Sequence, residues 1–583
     1  MYCRVIACDL NGTTEVEGRL APEIATALQA VRARGLVTLL VTGRVYEDVE
    51  KLCADLSLFD AVITENGAVV WLAHNGQSLR LATAPPDEFL GELRARGVPF
   101  HKGAIVVGTS DQRTSDVIAL IHRFAPDSQL VFNRGAVMIL PSGVNKALGV
   151  RRALEELDRS EHNLVAFGDA ENDLPLFAMA ERSVAAGGAS AAIAERADEG
   201  LSQPGAASVA AYIHRLLEQG GVVPTPAHRR IVLGQDAQSE PVCLPSSGMN
   251  VMVSGDPRSG KSWLVGLLAE QLIERGYRVC VFDPEGDHGS LAQRPHVLLL
   301  GHDVALPPPT VLPAMVRHQG LSVVLNLGAL GQTEQSAYVH AALDQLEASS
   351  EATGIPHWIL IDEAQYFFDR SATSVRRFAS TVNYVFCTYR PSAVSDAVYA
   401  AVQAHLITRT DVEEERRFIT NLLRARGPEG LIVHDALIEL DDHAGLLVTG
   451  APGPSWQIFA PRERLTAHAH HAHKYADASL PDDKAFHFLH PDAGFVAHNV
   501  AEFQRAIRAV PIASLRHHLT CGDFSRWAAE VLGNNRLAQG LRKLERAVAS
   551  GAPPNRDEIC AHIEDHYLVH TGAEKANNGE LGA

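Results

Sequence analysis

The sequence predicts a multidomain α/β chain: two parallel-sheet units in succession, then a small, mainly helical block. Three observations carry that expectation. Strand-like and helix-like patterns alternate through residues 1–218, which implies a parallel sheet covered by helices on both faces. From Val251, a strand, a glycine-rich loop and an apolar-faced helix follow one another, the opening of a second such sheet. From Val500 onward, apolar residues recur at helical spacing.

At 583 residues the chain is too long for one core, and its 46% hydrophobic content can fill several. The net charge of −18 argues against a nucleic-acid binder that uses its whole surface, although a local basic channel would be hidden in that sum. The eight cysteines are dispersed, form no Cys-x-x-Cys pair and mostly lie in apolar runs. Reduced, buried thiols and a cytoplasmic location are therefore expected. The chain enters a strand at once, without a signal-peptide pattern, and no apolar run approaches the ~18 residues of a membrane helix. Composition shifts place linkers at 219–228 and 461–484, bounding units at 1–218, 229–460 and 485–572, with a disordered tail at 573–583.

In the first unit, Val5-Ile6-Ala7-Cys8 is a buried strand that delivers Asp9 to its C-terminal end, where ligands and reactive groups collect in open α/β sheets. A carboxylate there, followed by Gly12 and Thr13, suits a nucleophile that attacks phosphorus. Pro22 to Arg34 reads as a helix with Gly35 as its C-terminal cap. Leu36 to Val41 is a buried strand ending in Thr42-Gly43-Arg44, whose Thr42 hydroxyl can bind a phosphoryl oxygen. Gly143-Val144-Asn145-Lys146 opens a helix and places a cation where it can offset phosphate charge. Leu164 to Phe167 runs into Gly168-Asp169-Ala170-Glu171-Asn172-Asp173, a second carboxylate set of the kind a hard cation such as Mg²⁺ needs. Taken singly, Thr42 also reads as a strand-end cap, Lys146 as a solvated residue and Asp169 as a helix N-cap.

Together these motifs resemble the Cof-type branch of the haloacid dehalogenase (HAD) superfamily, with its phosphoglycolate- and sugar-phosphatase-like members. The resemblance spans residues 1–218 and includes Thr64-Glu65-Asn66-Gly67-Ala68 and the helix after Lys146. It implies a Rossmann-like parallel sheet with a small α/β cap at about 80–140. It implies Asp9 as the phosphorylated nucleophile, with Thr42 and Lys146 binding phosphate. Mg²⁺ would be held by Asp9, Asp169 and the main-chain carbonyl of Asn11, with Asp173 in support. One position departs: the superfamily motif is Asp-x-Asp-Gly-Thr, and here the second aspartate is Asn11. An amide cannot shuttle a proton, and a positioned acid/base contributes about 10²–10⁴-fold. Two readings stay open, a slow phosphatase and a phospho-ligand sensor.

In the second unit, the strand Val251 to Ser254 leads into Gly255-Asp256-Pro257-Arg258-Ser259-Gly260-Lys261-Ser262, the P-loop pattern Gly-x₄-Gly-Lys-Ser. Main-chain N–H groups wrap the phosphates of ATP, Lys261 reaches the β- and γ-phosphates, and the Ser262 hydroxyl meets Mg²⁺. Trp358 to Ile361 is a strand ending in Asp362-Glu363; Asp362 would assist Mg²⁺ and Glu363 polarise the attacking water. Thr388, at the end of another strand, is a candidate sensor. Arg390 and Arg409 are candidate fingers, and each reads equally as a structural salt bridge.

These pieces resemble the HerA/FtsK branch of P-loop ATPases over about 229–450, including Ile231 to Gly234, Phe282-Asp283-Pro284-Glu285-Gly286 and Arg390-Pro391-Ser392. The resemblance implies a RecA/HerA-like fold, hexameric homo-oligomers and, in many members, DNA pumping. The family's Gln before Arg-Pro-Ser is Tyr389 here, and no basic, aromatic-studded track for DNA is visible.

The third block reads as a short strand at Phe486 to Leu489 and helices at 500–510, 523–532 and 537–549, with Asp523 as a cap. It resembles a small helical domain family of unknown function. His468, His470, His471 and His473 fall in a polar stretch and read as solvated. The whole chain is thus expected to be a Mg²⁺-dependent phosphatase of a small phosphorylated metabolite, joined to an ATPase that regulates it. The alternative is an ATP-driven DNA translocase or regulatory ATPase whose first unit senses a phosphorylated ligand.

Overall fold

A computed structural model describes residues 2–53, 55–133, 135–318, 320–371, 376–424, 430–441, 444–450, 455–466, 480, 482, 484–488, 495–532 and 535–564. Its first sheet has eight strands in the order Glu199–Pro204, Arg182–Gly187, Leu164–Gly168, Val5–Asp9, Val37–Val41, Ala61–Thr64, Val69–Leu72 and Gln77–Arg80. Val5–Asp9 is buried along its whole length and pairs in parallel with Val37–Val41 on one side and Leu164–Gly168 on the other. Such two-sided burial explains its unbroken apolar run. Apolar clusters cover both faces, one gathered by the helices Pro22–Ala33 and Ala206–Glu218, the other by Lys146–Glu156. A four-stranded antiparallel sheet (Ser128–Asn133, Ala136–Pro141, Val107–Ser110, His101–Lys102) with two helices, Asp87–Ala95 and Thr114–Phe124, forms a separate small α/β layer with its own core.

The second sheet has eleven strands: Pro241–Leu244, Ile231–Gln235, Ser455–Pro461, Gly445–Thr449, Ala404–Ile407, Val251–Ser254, Asn383–Thr388, Trp358–Ile361, Val279–Asp283, Ser322–Asn326 and Val297–Leu300. Its parallel part runs from Ala404–Ile407 to Val297–Leu300, while the first four strands pair antiparallel. In both sheets the strand feeding a candidate site lies where the chain order reverses, and the crevice there is where open α/β sheets bind ligands. Five helices from Val500–Ala509 to Arg556–Glu564 enclose an aromatic-rich core of their own. Among the described residues, no helix is long and apolar enough to cross a membrane. Six of the eight cysteines are buried, and all eight are free thiols.

The expected linkers differ from the structure. Residues 219–228 are packed: Val223 is buried, Cys3 N–H donates to the Gly221 carbonyl (2.8 Å), and Thr225 Oγ1 donates to the Ser247 carbonyl (3.1 Å). Buried Val223 and the backbone bridge between Tyr2 and Val222 favour docking over a free tether. Of 461–484, Pro461 ends a strand, and Arg464 folds back to pair with buried Glu270 (2.8 Å). The four histidines of that stretch and the tail lie outside the described residues. Asp523 is the first residue of helix Asp523–Glu530, with left-handed Gly522 before it, so it is not the expected cap. Its carboxylate instead meets the His518 ring at 2.8 Å.

The two sheets meet through the N-terminal ends of their strands. Ser160, His162 and Asn163 immediately precede Leu164–Gly168, and Glu181 precedes Arg182–Gly187; opposite them Arg278 precedes Val279–Asp283 and His357 precedes Trp358–Ile361. Buried Glu181 accepts the Tyr277 hydroxyl (2.7 and 2.8 Å) and pairs with His162 Nδ1 (3.0 Å), while Ser246 Oγ lies 2.7 Å from the same hydroxyl. Arg278 N–H donates to His357 Nδ1 (2.7 Å), which leaves Nε2 as the protonated nitrogen that donates to Ser160 Oγ (2.7 Å). Gly354, in the left-handed region at φ +83°, tolerates no larger residue, since a Cβ would come within 2.2 Å of Asn163 Oδ1.

Candidate active sites

The first site sits at the C-terminal ends of Val5–Asp9 and Leu164–Gly168. Asn145 caps helix Lys146–Glu156 by accepting Leu148 N–H (3.0 Å), and so delivers Lys146 at the first helical position. The buried Lys146 ammonium donates to Asp9 Oδ1 (2.5 Å) and Asp173 Oδ1 (2.6 Å). The other Asp173 oxygen accepts the N–H groups of Asp169 (3.0 Å) and Ala170 (3.1 Å), which fixes the acidic turn. Thr13 Oγ1 lies 3.4 Å from Asp169 Oδ1, and the Thr14 hydroxyl donates to the Asp9 carbonyl (2.7 Å). Burial pushes the Asp9 carboxyl up to about 7, with Lys146 opposing and Asp173 adding to the rise. Burial alone would depress Lys146, but Asp173 and Asp9 outweigh it and hold the ammonium above its usual range.

Asp9, Asp169 and Asp173 each offer a carboxylate oxygen, all within 4.8 Å of one another and buried. An all-oxygen, anionic donor set of this kind fits Mg²⁺. Thr42 is tied to the turn that follows the neighbouring strand: its carbonyl accepts Asn66 N–H (3.0 Å), and Asn66 Oδ1 accepts Asn172 Nδ2 (3.2 Å). Its hydroxyl accepts Arg44 N–H (3.2 Å).

Asn11 is gripped from both ends. Its amide nitrogen donates to Glu15 Oε2 (2.5 Å), and its oxygen accepts Arg44 Nε (2.9 Å), while Arg44 pairs with Glu15 (3.3 Å). Sequence reasoning missed Glu15; a carboxylate two residues past Gly12-Thr13, just where a short hairpin begins, was the available signal. It named Glu65 only as part of the Thr64 to Ala68 motif and gave it no role; its buried carboxylate accepts the N–H groups of Ala104, Ile105 and Val106, each at 2.8 Å. Glu65 thereby clasps a loop of the small α/β layer beside Thr42.

The second site surrounds the Gly255–Ser262 loop. Gly255 (φ +151°) is pressed against Thr408, where a Cβ would come within 2.0 Å of the hydroxyl. The Lys261 ammonium donates to the Asp256 carbonyl (2.8 Å), and the Ser262 hydroxyl donates to Asp287 Oδ2 (3.2 Å). Asp362 and Glu363 are fully buried, and Asp362 Oδ2 lies 3.1 Å from His288 Nε2. Burial alone would lower His288, but the Asp362 pair and further carboxylates outweigh it and raise it. A relay joins two predicted residues: Thr388 Oγ1 donates to Gln365 Oε1 (2.6 Å), and Gln365 Nε2 donates to Glu363 Oε2 (2.7 Å). Arg409 pairs with Asp411 of its own chain (3.0 Å), whereas Arg390 is exposed. Asp287, His288 and Gln365 were not picked out from sequence; the first two follow the strand-end Asp283, and Gln365 stands two residues past Glu363. Hydroxyl and carboxylate oxygens here again suit a hard cation.

The fold and the buried acid–lysine cluster define a hydrolytic enzyme built on parallel α/β sheets. The chain belongs to the haloacid dehalogenase-like hydrolases, whose family description matches residues 6–91 and 103–213, and it carries a helicase HerA central domain at residues 254–364. The phosphoglycolate phosphatase of Halorubrum lacusprofundi is 30% identical over 205 residues, covering 33% of this chain and 88% of that protein. Its Haloarcula marismortui namesake is 29% identical over 201 residues, covering 33% and 87%. A crystal structure of a haloacid dehalogenase-like hydrolase from Bacteroides thetaiotaomicron covers 37% of this chain and 99% of its own at 17% identity, with a TM-score of 0.33.

Proposed function

We propose that the chain is a cytoplasmic, Mg²⁺-dependent phosphatase of a small phosphorylated metabolite, whose turnover responds to ATP on the HerA-like unit. The observation that carries the reading is the buried contact of Lys146 with both Asp9 and Asp173. In this reading Asp9 attacks phosphorus, while Lys146 and the Thr42 hydroxyl hold the phosphoryl oxygens. Asp9, Asp169 and the carbonyl of Asn11 hold Mg²⁺, with Asp173 in support. The ion, when bound, offsets the charge that phosphate and nucleophile share. The names of the relatives favour a small phosphorylated acid as substrate. Asn11, engaged by Glu15 and Arg44, carries no proton to the leaving group, so turnover is slow.

On the second unit, residues Gly255 to Ser262 wrap ATP, Ser262 and Asp362 hold its Mg²⁺, and Glu363 orients water through the Gln365–Thr388 relay. Communication between the sites is supported by the interface, because the strands ending near Asp169 and Asp362 both start from it.

The test is phosphate release from a panel of phosphorylated acids and sugars, with and without ATP, on wild type, Asp9→Asn and Lys261→Ala. Activity should vanish in Asp9→Asn. ATP should shift it in wild type and not in Lys261→Ala. Identical ATP responses in those two proteins would remove the coupling, and activity surviving in Asp9→Asn would remove the phosphatase site.

A further inference from the structure

The C-terminal helical block holds a cluster that neither candidate site uses. His517 and Cys521 lie one helical turn apart on Ile512–Cys521, so they share a face. Gly522 adopts the left-handed conformation (φ +72°), ends that helix and turns the chain, so that Asp523 starts the next helix on the same side. The Cys521 thiol lies 4.0 Å from His517 Nε2, and one ligand atom from each of His517, Cys521 and Asp523 falls within 4.8 Å of the others. An ion bound at about 2.3 Å to sulfur and about 2.0–2.1 Å to nitrogen in tetrahedral geometry would set those two atoms roughly 3.6 Å apart. The His517–Cys521 pair is thus a few tenths of an ångström from closure, and Asp523 is close enough to complete the set by a side-chain adjustment.

The carboxylate is also supported from behind. Asp523 Oδ2 lies 2.8 Å from His518 Nδ1, and the His518 ring is buried against Phe486, Phe488 and Phe524. A ligand held by a second hydrogen bond on a packed ring is preoriented, as in protein metal sites generally. One neighbour competes: Arg526 Nη1 lies 3.5 Å from Asp523 Oδ1, while its Nη2 donates to the Cys521 carbonyl (3.1 Å). That arginine side chain is 58% exposed and has room to swing into solvent.

We propose that His517, Cys521 and Asp523 bind a thiophilic divalent ion of the Zn²⁺ type, with the fourth position open to water. The nitrogen, thiolate and carboxylate set selects against Mg²⁺ and Ca²⁺, which take oxygen ligands. Binding displaces the thiol proton to solvent and fixes the corner between the two helices.

The experiment is titration of the reduced full-length chain with Co²⁺, read as thiolate-to-metal charge transfer in the near ultraviolet and visible absorption of a four-coordinate site. Oxygen-ligated Co²⁺ at the two phosphoryl sites gives no thiolate band, which separates the signals. The expected result is one thiolate-bound ion per chain, displaced by Zn²⁺, lost in Cys521→Ser and weakened about tenfold to a hundredfold or more in His517→Ala. Arg526→Ala should tighten binding. Zn²⁺ should also shield Cys521, rather than half-buried Cys243, from alkylation. A thiolate band that persists in Cys521→Ser, or none at all when wild type is titrated well past three equivalents, overturns the proposal.

Discussion

The Tyr277 ring lies flat on the His162 ring, with centroids 3.8 Å apart and planes 20° apart, so an aromatic stack joins the two sheets. The Tyr277 hydroxyl simultaneously satisfies Glu181, a buried carboxylate of the other unit. Tyr277→Phe keeps the stack and removes that donor. It should lower unfolding stability by about 1–3 kcal/mol, the cost of an under-satisfied buried acceptor. Chemical denaturation of the full chain measures this; an unchanged midpoint would show that Glu181 finds another donor.

His357 gives the same interface an acid sensitivity. Burial, then the nearby His162 and Arg278, hold its folded pKa well below the ordinary 6.5. Below about pH 6.5 the unfolded chain takes up a proton that the folded chain refuses, so this contribution is intact above that pH and fades as pH falls further. Melting temperature should therefore drop more steeply between pH 6.5 and 5.5 in wild type than in His357→Gln.

Restoring an acid at position 11 separates the two readings of the first site. If slow turnover reflects the missing proton carrier, Asn11→Asp should raise kcat by up to about 10²–10⁴-fold. The new carboxylate would, however, face Glu15 across a contact that is now 2.5 Å. Asn11→Asp combined with Glu15→Gln should therefore outperform Asn11→Asp alone. Flat turnover in both would favour a sensor that retains its phosphoryl group.

Lys146 pairs with two buried carboxylates at once. Lys146→Met should abolish phosphate release. It should also destabilise the apo chain by about 3–5 kcal/mol, the cost of leaving buried charge uncompensated. Added Mg²⁺ should recover part of that loss in thermal melts, because the ion takes over the neutralisation.

Glu363→Gln should stop ATP hydrolysis while leaving nucleotide binding within a fewfold of wild type, checked by turnover and by equilibrium binding. Thr388→Val should cost less, since it removes only the outer link of the relay to Glu363.

Much of this was legible in the chain. Val5 to Asp9 and Trp358 to Glu363 announce themselves because buried parallel strands must be apolar and must end in whatever the crevice uses. Lys146 and Asp169 could be placed by their strand-end and helix-start positions. What stayed hidden depends on tertiary approach: the Glu65 clasp on Ala104, Ile105 and Val106 joins segments 39 to 41 residues apart. The grip of Glu15 and Arg44 on Asn11 and the Tyr277–Glu181 contact likewise have no periodic signature. Residues 219–228 looked like a tether because Gly and Pro mark loops, whether or not those loops are docked.

The sheets abut at the strand starts, whereas each candidate site sits at the far, C-terminal ends of its strands, so neither site lies at the junction. Among the described residues, the two sites are joined only through the strands between them and the buried junction built on Tyr277 and His357.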